Sequence, residues 1–191
     1  MADTATSPPA APPEAGVKPG WTRFAPLLIF LLVLAGIVWA LQRGGVRHEL
    51  QNAMVGRPVP AFSLPPLDGA APITPASFAG KAYVVNFFAS DCAACKVEHP
   101  MMNDLAKAGV PILGIVYKDE AGPVRAYLAD LGNPYQTVGF DPDGRFALEL
   151  GVAATPETFV VGADGVVKAM HRGGLNPDEL SNKILPALNL K

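Results

Sequence analysis

Apolar residues along this chain fall into runs of two kinds. The first kind occurs once, at residues 24–41, "FAPLLIFLLVLAGIVWAL", with no charge between Arg23 and Arg43. Eighteen residues at 1.5 Å each reach roughly 27 Å, about the hydrocarbon thickness of a bilayer. An amphipathic core helix would show a polar face, and this stretch shows none. It predicts a single transmembrane helix. The flanks lack a short basic leader and a polar region with a small-x-small site, so the stretch reads as a retained anchor. Lys18 and Arg23 precede it and Arg43, Arg47 and Arg57 follow it. That count leans, weakly, against export of the C-terminal part.

The second kind is short and alternates with polar, helix-periodic segments. "AYVVNFFA" (82–89) and "VPILGIVY" (110–117) are nearly unbroken β-favouring runs, the pattern of strands covered on both faces. Between them a helix is expected from the cysteines through "KVEHPMMNDLAKAG". "AGPVRAYLADLG" predicts a helix ending at Gly132 and "GRFALELG" a shorter one ending at Gly151. "ETFVVG" and "VVKAMHRG" flank Ala163-Asp164-Gly165, a hairpin signal. The last helix opens with Asn176 as N-cap, Pro177 at its first position and Glu179 as capping-box partner. "VPAFSLPPLDG" suggests a small leading strand and turn. Strands alternating with helices and closing on a hairpin indicate an α/β fold with a mixed central sheet.

The order divides the chain into an Ala- and Pro-rich tail at 1–23, read as disordered, the anchor at 24–41, a tether at 42–56 and a domain at 57–191. Net charge adds little. Fifteen basic against 17 acidic residues give −2, with no electrostatic footprint for nucleic acid.

The chemistry lies in "FFASDCAACKVEHP", residues 87–100, which hold the two cysteines of the chain, Cys92 and Cys95. A thiolate at a helix N-terminus is stabilised by free backbone N–H groups and the helix dipole, which lower its pKa from about 8.5 towards neutrality. The i, i+3 spacing places the second sulfur on the same helical face, within bridging reach. In a redox reading Cys92 attacks a partner disulfide and Cys95, one turn inside, resolves it. Three other readings compete. The pair is compatible with inert buried thiols, with a structural disulfide closing too short a loop to stabilise much, or with a metal site adding His99 and His171.

At this point the chain resembles a family. "NFFASDCAACKVEHP", with Pro100 five residues after the second cysteine, is similar to the thioredoxin superfamily pattern, and "ATPETFVV" to its cis-proline loop, with Pro156 preceded by Thr155. "VGRPVPAFSLPPLDG", "CKVEHP", "VYKDE", "LGNPY", "FDPDGRFALELGV", "TPETFVV" and "HRGGLNP" follow one another as in the membrane-anchored thiol:disulfide interchange proteins of cytochrome c maturation, CcmG or DsbE. The likeness covers about residues 50–190.

The resemblance implies a thioredoxin-like domain on the periplasmic side of a bacterial inner membrane. There it would reduce the disulfide of apocytochrome c, or of a maturation chaperone, and be recharged by a transmembrane thiol reductase. It implies no organic cofactor and no metal. Thr155 and Pro156 would shape the substrate groove, while Glu98, Glu157 and Tyr117 would tune thiol pKa values or move protons. Asn86 stands where thioredoxins at large carry a buried aspartate. The departure is Asp91, where the family usually has Trp. At about 6 Å a carboxylate would disfavour the Cys92 thiolate by roughly 0.7 kcal/mol in water and about 2.8 at an effective dielectric of 20, half to two pKa units. Asp91 is thus expected to make the pair more reducing, unless it merely caps the helix. Lys118 and Asp119, at a strand end, are loop residues of the kind that touch partners. Asp141 and Asp143 in "DPDG" are turn residues. A metal chaperone using Cys92, Cys95 and His99 is the alternative from another class. A peroxiredoxin would need a threonine three residues before its cysteine, where this chain has Ala89.

Overall fold

Strand β1, Tyr83–Phe88, is buried along its whole length and lies at the centre of the sheet. Successive side chains point to opposite faces. Val84 and Phe88 pack into one apolar cluster, Tyr83, Val85 and Phe87 into another. This explains the unbroken apolar run: both faces need filling, and fully burying a Val or Phe contributes about 1.5–3 kcal/mol. The structure is a computed structural model, described here for residues 24–42, 53–69 and 71–189.

Strands β2 (Ile112–Tyr117), β3 (Thr137–Asp141), β4 (Glu157–Val161) and β5 (Val167–Arg172) complete a five-stranded sheet in the order β3-β2-β1-β4-β5. β1, β2 and β3 are parallel, while β4 pairs antiparallel with β1 and β5 antiparallel with β4. Asn86 is registered against Gly114 on one side and Thr158 on the other.

Of the helices, α1 (Ala25–Gln42) belongs to a separate unit, Met1–Gly45, and the sheet to the unit Val46–Lys191. Within the second unit α2 (Ala93–Lys107), α3 (Ala121–Leu131) and the C-terminal helix α5 (residues 177–187) contribute to the cluster around Val84 and Phe88. α5 runs as Pro177–Glu179, a π-turn Leu180–Ile184 and Leu185–Ala187. The wide turn precedes Pro186, which has no N–H to continue an α-helical ladder. α4 (Arg145–Leu150) covers the other face, with Phe146 against Phe62 and Phe87. The capping box at Asn176 and Glu179 is present in both directions.

This is the mixed α/β, thioredoxin-like fold that the resemblance implied. The "VPAFSLPPLDG" segment differs from expectation. It makes isolated bridges, Leu64 to Ile73 and Pro66 to Gly139, and no strand, while Pro58 just before it bridges Val166. Its prolines lack the N–H groups that a ladder needs. The 1–23 tail and most of the 42–56 tether lie outside the described residues; Gly56 already bonds Val167 of the domain at 2.8 Å. The apolar stretch is helical over Ala25–Gln42, and Leu27 through Leu34 are exposed all round. Its side chains are described only to residue 40. Among the described residues no helix is long and apolar enough to cross a membrane.

Candidate active site

The site begins where β1 runs out. Ala89, Ser90 and Asp91 make a turn closed by Cys92 N–H donating to the Ala89 carbonyl at 3.3 Å. Cys92 is then the N-cap of α2, with extended backbone, and its Sγ accepts from the Cys95 amide at 3.1 Å. The cap is therefore the cysteine itself and not Asp91. A thiolate at that atom would keep the same amide as donor, the local stabilisation expected at a helix N-terminus. Cys92 and Cys95 form a disulfide with Cα atoms 5.3 Å apart. Cys92 is half-buried and Cys95 is 1% exposed, so an incoming sulfur meets Cys92.

One turn deeper on α2 lies Glu98, also 1% exposed. Its Oε1 accepts from Asn86 Nδ2 at 2.8 Å and its Oε2 from the Leu175 amide at 2.8 Å. Burial pushes its carboxyl up to about 7, against the pull of those two bonds. Asn86 is fully committed: Nδ2 also donates to Thr158 Oγ1 at 3.1 Å, and Oδ1 accepts from Tyr135 at 2.8 Å. Gly114 makes room for that tyrosine, since a Cβ there would meet its ring at 2.7 Å. Burial, with the Tyr127 and Glu98 charges adding, keeps Tyr135 protonated well beyond its usual range.

His99 occupies the next position. Its Nε2 faces the Gly132 carbonyl at 2.8 Å and its Nδ1 the Tyr127 hydroxyl at 2.9 Å. A carbonyl only accepts, so Nε2 carries the proton and Nδ1 accepts from Tyr127. Burial lowers the His99 pKa despite the Gly132 bond, in accord with a neutral ring. The Tyr127 hydroxyl also lies 3.2 Å from the Cys95 carbonyl, so the network reaches the dithiol backbone. With both ring nitrogens occupied, His99 has none to offer beside the cysteines. Among the described residues no group of three His, Cys, Asp or Glu is arranged to hold a metal.

The Thr155–Pro156 peptide is cis, and Pro156 is buried. Glu157, next in the chain, is registered against Phe87, on the sheet face that α4 covers. Its Oε1 accepts from the Ala153 amide at 2.9 Å; its Oε2 lies 3.7 Å from Arg172 Nε. Burial raises its pKa, offset in part by the Ala153 amide, Arg172 and the Ala154 amide. Tyr117 packs against the cluster on that same face. The structure thus gathers Cys92, Cys95 and Glu98 on one helix and sets Glu157 and Tyr117 on the opposite face of the sheet. Asp91 is exposed, at the rim of a groove of about 450 Å³ that Lys96, Ala126, Tyr127 and Asp130 also line. His171, expected as a fourth metal ligand, instead faces Glu179 Oε2 at 3.2 Å.

Known proteins are similar to this chain in sequence and in fold. Residues 54–184 match the Redoxin family model. The thiol:disulfide interchange protein DsbE of Escherichia coli K12 is 37% identical over 166 residues, covering 84% of this chain and 90% of its own. HelX of Rhodobacter capsulatus, also a thiol:disulfide interchange protein, is 40% identical over 163 residues, 83% of this chain and 92% of its own. The chain belongs to the DsbE family of thiol:disulfide interchange proteins. Two solved structures agree with the DsbE assignment. A secreted Mycobacterium tuberculosis disulfide oxidoreductase homologous to E. coli DsbE superposes with a TM-score of 0.56 at 26% identity, covering 71% of this chain and 95% of its own. A thioredoxin-family thiol:disulfide interchange protein of Chlorobium tepidum gives 0.57 at 28%, covering 69% and 93%.

As a DsbE-family enzyme, the protein is a thiol:disulfide oxidoreductase. With Cys92 more open than Cys95, the arrangement allows a Cys92 thiolate to attack one sulfur of a partner disulfide, forming a mixed disulfide and releasing the partner's other sulfur as thiolate. A Cys95 thiolate could then attack Cys92 Sγ, expelling the second partner thiolate and closing the Cys92–Cys95 bond. The pattern reading missed Tyr127, Tyr135 and the Leu175 amide. Tyr127 sits at helical spacing with Val124 and Leu128 and reads as plain core. A main-chain amide leaves no side-chain signal at all.

Proposed function

We propose that this protein is the membrane-anchored reductant of cytochrome c maturation, acting on the periplasmic side of the inner membrane. The observation that carries the reading is a half-buried Cys92 at the mouth of α2 with a shielded Cys95 behind it, in a chain of the DsbE family. The run of apolar side chains on α1, exposed from Leu27 through Leu34, supports anchoring. The substrate is the disulfide of the Cys-x-x-Cys-His segment of apocytochrome c, or of the chaperone that carries it, and a transmembrane thiol reductase returns the electrons. Glu98, whose pKa raised to about 7 leaves it close to half protonated near neutral pH, exchanges protons with Cys95 one turn above it. Thr155 offers its backbone for strand-like pairing with the bound peptide beside Pro156. Asp91 keeps the Cys92 thiolate less stable than a Trp would.

The test joins topology to trapping. A reporter active only outside the cytoplasm is fused after Lys191, and a Cys95→Ser variant of the full chain is expressed with apocytochrome c. Reporter activity together with a mixed disulfide between Cys92 and the apocytochrome or its chaperone supports the reading. Cytoplasmic location of the C-terminus, or no such adduct from an exported domain, overturns it.

A further inference from the structure

The turn that presents Cys92 is held from outside by a residue of a different element. β2 ends at Tyr117, and the next residue, Lys118, has a left-handed backbone with φ 52°. That conformation is uncommon for a residue with a side chain, and it persists where the surroundings fix it. Here Lys118 N–H donates to the Asp141 carbonyl at 3.3 Å and its Nζ lies 5.0 Å from the Tyr117 ring centre. The sharp bend carries Asp119 back across the ends of the parallel strands to the β1–α2 turn. Its Oδ2 accepts from the Ser90 amide at 2.7 Å, and its Oδ1 from the Glu120 amide at 2.7 Å. The Ser90 hydroxyl bonds the same carboxylate.

We propose that Asp119 is a positioning residue for the nucleophile: by clamping Ser90 to the Glu120 amide, at the N-cap of α3, it fixes the turn that places Cys92 Sγ on the Cys95 amide. Among the described residues, two hydrogen-bonded restraints hold the turn between β1 and the helix. One is internal, the Cys92 amide on the Ala89 carbonyl, and long at 3.3 Å. The other is this carboxylate, with bonds of the short, charge-assisted kind. Partial burial works against the charge, but the Ser90 hydroxyl, the Ser90 amide and the Glu120 amide outweigh it and hold the Asp119 pKa below its ordinary value. The clamp is therefore ionised wherever the enzyme works. Loosening it lets the sulfur leave its amide donor for part of the time. The helix N-terminus then stabilises the thiolate less, and Cys92 becomes a poorer nucleophile at neutral pH.

Geometry and charge predict opposite signs, so the experiment separates them. A carboxylate acting only through its field would disfavour the thiolate, and its removal would lower the Cys92 pKa. A clamp does the reverse. The other charged groups at this end of the site, Asp91, Lys96, Glu98 and Asp130, stay in place in the variants. The full-length reduced chain, solubilised in detergent, is alkylated with iodoacetamide across a pH series, and modification of Cys92 is followed by mass spectrometry. For Asp119→Ala the midpoint of reactivity is expected to rise by about half a unit, which leaves roughly threefold less thiolate below the midpoint. Asp119→Asn, which keeps one acceptor oxygen for Ser90, is expected to rise by less. An unchanged or lowered midpoint in a folded Asp119→Ala overturns the proposal. Should that variant not fold, Asp119→Asn decides by the same sign. The inference depends on the thiol chemistry alone and uses no maturation partner, so its failure leaves the proposed pathway role standing, and the reverse holds too.

Discussion

Replacing Glu98 by glutamine tests whether a carboxyl one turn below the dithiol is a costly charge held by the fold. Glu98 is shut from solvent, and its pKa rises from 4.5 to about 7 because burial outweighs its two bonds. A carboxyl with a raised folded-state pKa binds its proton more tightly in the native protein than in the unfolded one. Its contribution is fully present below about pH 4.5, fades as pH rises through about 7, and stays lost above that. At 1.36 kcal/mol per unit, the change amounts to about 3 kcal/mol between those limits. Glutamine cannot ionise, but it has one oxygen for two donors, Asn86 Nδ2 and the Leu175 amide, so one is left unmatched at every pH. That costs about 1–3 kcal/mol irrespective of pH. Urea unfolding of the oxidised protein at about pH 5 and about pH 8 reads both effects, with the cysteines taken out of the titration by their disulfide. Glu98→Gln is expected to be less stable than the parent at the lower pH, and the gap should close by about 2.5 kcal/mol at the higher, part of the change having already occurred by pH 5. Glu157, His99 and His171 titrate alike in both proteins and cancel in the difference. Parallel pH profiles, with a gap constant to within about 0.5 kcal/mol, would refute the burial argument.

Other outcomes follow from the same geometry. Cys92→Ser should abolish exchange with a small disulfide, whereas Cys95→Ser should retain the first attack and accumulate the mixed adduct, visible by non-reducing mass spectrometry. Asp91→Trp should lower the Cys92 pKa by no more than about half a unit, because Asp91 is exposed and its field is screened by water; a pH-dependent alkylation series reads it, and a rise would reverse the assigned role. His99→Ala should cost about 1–3 kcal/mol through the Gly132 carbonyl left unmatched, the Tyr127 hydroxyl keeping the Cys95 carbonyl, yet leave disulfide exchange intact. Zinc added to the reduced His99→Ala variant and its parent should show no difference in submicromolar binding, and loss of such a site on substitution would revive the metal-chaperone reading.

Much of the architecture was legible in one dimension because the signals are local. β1 and β2 were readable as unbroken apolar runs since each strand must fill two faces with its own side chains. The Asn176-Pro177-x-Glu179 cap and the hairpin around Gly165 depend on bonds within a few residues. The apolar stretch beginning at residue 24 showed as a helix to within one residue at each end, for the same reason. Where local rules conflicted, the reading missed: "VPAFSLPPLDG" alternates like a strand, but its prolines cannot supply the ladder.

The order of residues alone singled out the pair that carries the chemistry. Two sulfurs at i and i+3 after a buried strand lie within bridging reach, because backbone geometry brings them together on one helical turn. It did not fix the company they keep. Glu98 and Glu157 looked alike as acids near the site, and only the pleat of β4 and the turn of α2 put one beneath the dithiol and the other behind the sheet. The amide of Leu175 reaches Glu98 across 77 positions of chain, and Asp119 reaches Ser90 across 29. Contacts of that span come from how layers pack, and packing is the sum of many weak terms that no short stretch of letters carries.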